Sequence, residues 1–436
     1  MTKSSRDRLE AALARASERE PVFTRLYPDA ARAAADASDA RHLAGISLGP
    51  LDGAIVSIKD LFDVAGEITL AGSRALRNAA PAAADAVVVR RLRQAGAVII
   101  GRTNMVEFAF SGLGLNPHTG TPGNAADPSL IPGGSSSGAG VSVALGSSEI
   151  AIGSDTGGSV RIPASLNGIV GFKPTARRVP LEGAFPLSYT LDSIGPLARS
   201  VAECAAADAV MAGADPHPLA PAEIAGLRIG VPRGLLFGET EPVVSDAFES
   251  TLERLARAGA QITELPLDDL LQAMSAALPA ASIAAIEAAA IHADLLGPGR
   301  EEYDPRVISR ILRGAEIPAA AYIRTIRKRN ELIAAMDGRL RRVDAFALPA
   351  TATTAPPIAP LLGDDDAYHA ANLLTLRNTM VGNLFDLCSI TLPMPGTPRP
   401  AGFMLTARSG EDERLLSIAA AVEGQLGPAS SDHLAS

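Results

Sequence analysis

Two serine-glycine clusters and one distant lysine are the residues of this chain whose types could break a covalent bond. The first cluster reads Pro132-Gly133-Gly134-Ser135-Ser136-Ser137-Gly138, and the second Gly153-Ser154-Asp155-Thr156-Gly157-Gly158-Ser159-Val160-Arg161-Ile162-Pro163. The lysine is Lys59, within Val56-Ser57-Ile58-Lys59-Asp60-Leu61-Phe62-Asp63. A serine hydroxyl attacks a carbonyl only if a base takes its proton. Histidine, the usual base, is missing from the neighbourhood of both clusters. A lysine can do that work if it is held neutral, and a second serine can carry the proton between lysine and nucleophile. A free lysine titrates near 10.4, so a base working near neutrality needs a drop of about three units, roughly 4 kcal/mol, which burial can supply. The apolar flank Ala54 to Ile58 is consistent with such burial.

Ser159 is the candidate nucleophile. Thr156-Gly157-Gly158 before it lacks bulk, so the backbone can turn tightly and aim successive N–H groups at one point. Thr156, Gly157, Gly158 and Ser159 are therefore the candidate oxyanion donors, each such donor being worth a few kcal/mol in the transition state. The competing structural reading is a Gly-rich turn with Ser159 as a helix cap. In the first cluster Ser135, Ser136 and Ser137 all compete for the relay. Gly134-Ser135-Ser136-Ser137-Gly138 also satisfies the G-x-S-x-G pattern of a nucleophile elbow. That pattern needs a strand just before the serine, whereas Asn124 to Pro132 reads as a loop. It also needs a late acid and histidine, and His433 among the late histidines lies in the C-terminal tail.

Taken together, these residues resemble the amidase signature family. The resemblance is dense from about Leu51 to Gly213 and weaker at Ala401 to Glu423. It implies a Ser–cis-Ser–Lys triad that hydrolyses amides through an acyl-enzyme. Ser159 is then the nucleophile, Ser135 the bridge with a cis peptide bond to Gly134, and Lys59 the base. Ser135 is chosen because it is the first serine after the glycine pair; Ser136 is left to the loop or the substrate. Lys173, in Gly171-Phe172-Lys173-Pro174, matches an architectural landmark of the family. Asp155, Arg161 and Asp192 read as charged residues that fix the loops around the nucleophile. The implied fold is α/β: a single α/β/α sandwich with a large mixed sheet, spanning residues 1–427, followed by a disordered tail at 428–436. No cofactor and no metal are implied, and the partner is a small-molecule amide. The rival within the family is the glutaminase subunit of a tRNA-dependent amidotransferase. Two features count against it: the chain ends soon after its last helix, and Met404 stands where many relatives have glutamine.

Composition narrows the class. The 436 residues carry 39 Lys and Arg against 48 Asp and Glu, and no basic stripe appears that would suit a nucleic-acid or anionic membrane surface. Apolar residues make up 47%, enough for a large core, but with 11 Phe, 5 Tyr and no Trp the packing must rest on small aliphatics. Cys204 and Cys388 lack metal-type neighbours and read as buried and reduced. The N-terminus has no apolar run for a signal peptide or membrane span, so a cytoplasmic enzyme is expected, with a homodimer left open. Asp364-Asp365-Asp366 lacks metal-ligand partners and reads as solvated loop within a Pro-, Thr- and Asp-rich stretch, 350–366.

Periodicity supplies the elements that must position the chemistry. Gly53 to Ile58 is a strand with Lys59 at its end, Ala83 to Ala95 a helix capped by Gly96, and Val98 to Gly101 a buried strand; this order predicts a parallel or mixed sheet. Residues 111–138 form a long structured loop, Ala139 to Gly146 a buried helix, and Glu149 to Gly153 a strand entering the second cluster. Further strands are predicted at 227–232, 260–265, 344–349, 389–393 and 402–407, and helices at 6–17, 29–39, 244–258, 268–295, 316–338 and 412–423. Residues 104–115 with Met105, Phe108 and Phe110, the segment Ala184 to Tyr189, and the helical stretch 268–330 are the candidate pocket. These segments are mostly apolar, which favours a small aryl or alkyl amide over a charged one.

Overall fold

The computed structural model describes residues 3–18, 21–297 and 299–427; the tail predicted at 428–436 lies outside them. Its strands are β1 (Phe23–Leu26), β2 (Ile55–Lys59), β3 (Val98–Thr103), β4 (Ile150–Asp155), β5 (Val170–Lys173), β6 (Ser193–Ala198), β7 (Arg228–Val231), β8 (Gln261–Glu264), β9 (Ala345–Pro349), β10 (Cys388–Pro393) and β11 (Gly402–Ala407). All eleven join one sheet in the order β1-β3-β2-β4-β6-β5-β10-β11-β9-β7-β8. β2 runs parallel to β3 and β4, and β7 parallel to β8 and β9, while the central strands pair antiparallel. The sheet is therefore mixed.

The helices are α1 (Ser5–Glu18), α2 (Pro28–Leu43), α3 (Val87–Gln94), α4 (Ser137–Leu145), α5 (Arg161–Asn167), α6 (Val201–Ala212), α7 (Pro242–Arg257), α8 (Asp268–Ala277), α9 (Ile283–Ile291), α10 (Pro305–Ala315), α11 (Ala319–Leu340), α12 (Ile358–Gly363), α13 (Asp365–Leu376), α14 (Met380–Leu384) and α15 (Asp412–Leu426). They cover both faces of the sheet. Successive residues of a strand point to opposite faces, and β4 shows the consequence. Ala151 packs with Ala139, Val143 and Ala164 of α4 and α5. Ile150 and Ile152 face the opposite cluster, with Val201 of α6 and Leu415 and Ile418 of α15.

Several expectations need correction. The helix predicted at 83–95 starts only at Val87. The helix predicted at 268–295 is two, α8 and α9, because Pro279 cannot continue α8 and Ser282 caps α9 by accepting from the Ala285 N–H at 3.1 Å. Residues 350–366 are not a surface loop. Thr351, Ala352, Thr354 and Ala355 are buried, α12 follows, and Asp364 caps α13 by accepting from the Ala367 N–H. β5 and β6 went unread because Gly171, Gly195 and Pro196 look like loop residues. Gly195 is required by close backbone approach: a Cβ there would lie 2.0 Å from the Phe172 carbonyl oxygen. The two cysteines are free and buried.

β2 ends on Lys59 and its parallel neighbour β4 ends on Asp155, so both carboxyl ends open on one edge of the sheet. In open α/β sheets ligands bind outside such carboxyl ends. The first serine cluster leads into α4 and the second leads from β4 into α5.

Candidate active site

Lys59 is fully buried. Its Nζ lies 2.7 Å from Ser135 Oγ and 2.8 Å from Ser154 Oγ, donating to both. Burial pushes its pKa down to about 7, against the opposing pull of the Asp192 and Asp155 carboxylates. A lysine with this value is substantially neutral at ordinary pH and has a lone pair for a proton. Ser154 was not anticipated. Its only signal was the side-by-side pairing of β2 and β4, which the sequence does not announce.

The Gly134–Ser135 peptide bond is cis. Gly134 can be nothing larger, since a Cβ would lie 2.6 Å from the Gly114 nitrogen. The Ser135 carbonyl accepts from the Val106 N–H at 3.0 Å, which pins the residue beneath the loop after β3. Ser136 is buried and turned away from solvent. Its N–H donates to the Ser159 carbonyl at 3.3 Å and its Oγ to the Ser154 carbonyl at 3.3 Å. Ser137 opens α4, its Oγ donating to the Asn104 carbonyl.

Ser159 sits in the turn between β4 and α5. Asp155 holds that turn from below, accepting from the Val160 N–H at 3.1 Å and from Arg161 Nε and Nη2 at 3.0 and 2.8 Å. Burial alone would raise the Asp155 pKa, but the Arg161 cation outweighs it and holds the carboxyl at about 2. Arg161 continues to the Thr379 carbonyl and Asn383 Oδ1, both at 2.7 Å, and its Nη1 lies 3.5 Å from the Met404 sulfur. Both charges are therefore spent inside the fold. Lys173 is likewise buried, donating to the Pro174 carbonyl at 2.7 Å, with its pKa lowered to about 8 by burial and by Arg161.

Gly158 has φ +140°, and a Cβ there would lie 2.1 Å from Thr379 Oγ1, so only glycine fits. Among the described residues, none of the Gly157, Gly158 and Ser159 N–H groups donates to a protein acceptor. Ser159 Oγ also makes no hydrogen bond to the described protein. Asp192 ties the turn to the pocket wall: it accepts from Thr156 Oγ1 at 2.5 Å and from the Leu187 and Ser188 N–H groups at 2.9 and 3.0 Å. Burial raises its pKa to about 6.

Ser159, Thr156 and Gly157 open into a cavity of about 240 Å³. Phe110 and Ser111 form part of its wall, with Leu187, Leu191, the break between α8 and α9, and Leu376 and Met380 beyond. The candidate substrate residues thus separate. Phe110 lines the cavity. Phe108 does not: φ values of +49° at Phe108 and +59° at Ala109 turn the chain, and the Phe108 ring packs against Phe185, His292 and Tyr303 instead. Ser136 lies behind the wall. A larger surface cleft of about 520 Å³ beside Tyr27, Arg41 and Glu67 touches none of the serines or Lys59 and has no part in this chemistry. Among the described residues no group of three or more His, Cys, Asp or Glu is placed to hold a metal, and no helix is long and apolar enough to cross a membrane.

The family model described as Amidase matches residues 7–416. The chain belongs to the amidase family. It is an enzyme that hydrolyses amides. The 2-amino-5-chloromuconic acid deaminase of Comamonas testosteroni is 39% identical over 405 residues, spanning 91% of this chain and 87% of that protein. One of the subunits of the glutamyl-tRNA(Gln) amidotransferase of Roseiflexus sp. (strain RS-1) is 34% identical over 448 residues, spanning 94% of this chain and 90% of that one. A solved amidase structure superposes with a TM-score of 0.86 at 36% identity, covering 98% of this amidase and 97% of that chain.

Proposed function

We propose that this amidase cleaves a small carboxylic acid amide through an acyl-enzyme on Ser159. Neutral Lys59 accepts a proton from Ser135, and Ser135 accepts one from Ser159 as the Ser159 oxygen adds to the amide carbonyl. Rotation of the free Ser159 hydroxyl toward Ser135 completes the relay, across backbones already joined by the Ser136 N–H and the Ser159 carbonyl. The oxyanion meets the unpaired N–H groups of Gly157, Gly158 and Ser159, with Thr156 closing the turn. The tetrahedral intermediate collapses as the C–N bond breaks, and the proton returns through Ser135 to the leaving amine. Water, deprotonated by the same relay, then releases the acid and frees Ser159.

The observation that carries this reading is Lys59: a fully buried lysine, titrating at about 7, whose Nζ touches Ser135 at 2.7 Å. Its test is ammonia release by the purified chain from a panel of amides that includes glutamine, in wild type and Ser159→Ala. Turnover of small amides by wild type alone, absent in Ser159→Ala, supports the reading. The similarity to the glutamyl-tRNA(Gln) amidotransferase chain favours a second reading, a glutaminase that works within a complex. That reading takes over if glutamine is the best substrate and only when partner subunits are added.

A further inference from the structure

Among the described residues lining the Ser159 cavity, only two carry charge, and both are arginines: Arg310 and Arg313. They lie three residues apart on α10, hence on one helix face. Among the described residues no Asp or Glu joins the lining. Arg310 is partly buried. Its Nη1 donates to the Phe110 carbonyl at 2.6 Å, and its guanidinium carbon stands 5.2 Å from the centre of the Phe110 ring. Those contacts fix the fork against the cavity wall but neutralise nothing. Among the described residues neither Arg310 nor Arg313 has a carboxylate within ion-pair distance, whereas Arg306, one turn earlier on α10, pairs with Asp365 at 2.8 Å. Asp304 acts on Arg310 only from a distance, and Arg313 adds like charge. Withdrawing a cation from water without a partner is costly, and an anion entering the cavity would offset that cost. A guanidinium with free N–H groups matches a carboxylate in a bidentate fork.

We propose that Arg310, with Arg313 beside it, forms a carboxylate-binding subsite, and that the amide cleaved at Ser159 bears a carboxylate on its acyl chain. With a primary amide the leaving group is ammonia, so whatever else fills the cavity belongs to the acyl half. A volume of about 240 Å³ is below the ~300–1,000 Å³ of ordinary ligand pockets, which suits a short ω-amide acid. Glutamine fits less well, because its ammonium finds two arginines and no carboxylate. The inference rests on the amide-hydrolase reading of the same cavity. It departs from the expectation of an uncharged aryl or alkyl amide because α10 brings two arginines to the cavity wall.

The test compares kcat/KM for succinamate and glutaramate with that for butyramide and valeramide, their uncharged counterparts. Wild type, Arg310→Met, Arg310→Lys and the exposed-site variant Arg313→Met are assayed by ammonia release. Succinate binding to each is measured by calorimetry. Wild type should favour the amide acids by about 10²-fold, the scale of charged hydrogen bonds. Arg310→Met should erase most of that ratio, chiefly through KM, and weaken succinate at least about tenfold. Arg310→Lys should recover part of it, and Arg313→Met should lose up to about tenfold. Neutral amides turned over as well as the acids, or an unchanged ratio in Arg310→Met, would overturn the subsite while leaving the amidase reading intact. Succinate binding that depends on Arg310 without any amide turnover would do the reverse. If Arg310→Met fails to fold, Arg310→Lys, Arg313→Met and succinate binding by wild type decide.

Discussion

Replacing Asp192 with asparagine should move the acid limb of the pH–rate profile to lower pH. The limb reports the proton on Lys59. With a pKa of about 7, kcat/KM should be flat above about pH 8, fall tenfold per unit below 7, and stand about 100-fold below its plateau at pH 5. Burial sets that value, and the Asp192 carboxylate works against it by favouring the lysine cation. Removing the carboxylate therefore lowers the Lys59 pKa further. A nearby charge shifts a pKa by about one unit or more, so the limb should move by about one unit, about 1.4 kcal/mol. Asparagine keeps an oxygen for the Leu187 and Ser188 N–H groups, so the wall should hold its shape. In wild type Asp192 itself titrates at about 6, so its carboxylate charge is largely present at the midpoint of the limb near pH 7, where the shift is read, and fades toward pH 5. The assay is ammonia release from a non-ionising amide between pH 5 and 10. A limb that stays put or moves up in Asp192→Asn refutes the electrostatic account of Lys59. A wild-type profile that rises only above pH 9 refutes the neutral-lysine base itself.

Other perturbations give separate checks. Lys59→Ala should cost more kcat than Ser135→Ala, and the double variant should lose little beyond the worse single, because the residues act as one relay; full multiplicative losses would contradict a shared path. Gly158→Ala should cost at least about 10² in kcat, the scale of a lost oxyanion donor, because its Cβ would meet Thr379 Oγ1; near-normal kcat with an intact circular dichroism spectrum would clear that turn of an oxyanion role. Asp155→Ala leaves Arg161 buried without its partner and should cost about 3–5 kcal/mol in urea unfolding; an unchanged midpoint would show that Asn383 and Thr379 suffice to hold the cation.

Local chemistry was legible in the sequence where residue type alone set it. Lys59 at a strand end, the glycine pair before Ser135 and the small residues before Ser159 all announce themselves, and the structure brings Lys59 and Ser135 into contact. What was hidden depends on tertiary approach. β6 runs through the middle of the sheet with Gly195 and Pro196 in it, because its neighbour's backbone comes too close for a side chain. Ser154 reaches Lys59 only because β2 and β4 pair in parallel. Phe108 and Phe110 look alike in sequence, yet a left-handed backbone at Phe108 and Ala109 sends one ring into an aromatic cluster and leaves the other on the cavity. α10 lay inside the helical stretch 268–330 named as pocket, but helix bounds were read only at 268–295 and 316–338, so the face carrying Arg310 and Arg313 could not be placed. The break at Pro279, which lets the segment between α8 and α9 line the cavity, was masked by the alanine-rich helical pattern around it.

The most direct test of the central claim is covalent. Wild type is incubated with a fluorophosphonate, and the adduct is located by intact-mass and peptide mass spectrometry. A single adduct on Ser159, lost in Ser159→Ala and slowed in Lys59→Ala, is the predicted result. An adduct on Ser135, Ser136 or Ser154 in wild type, or Ser159→Ala retaining near wild-type kcat on a good amide, would contradict the assignment of Ser159 as nucleophile.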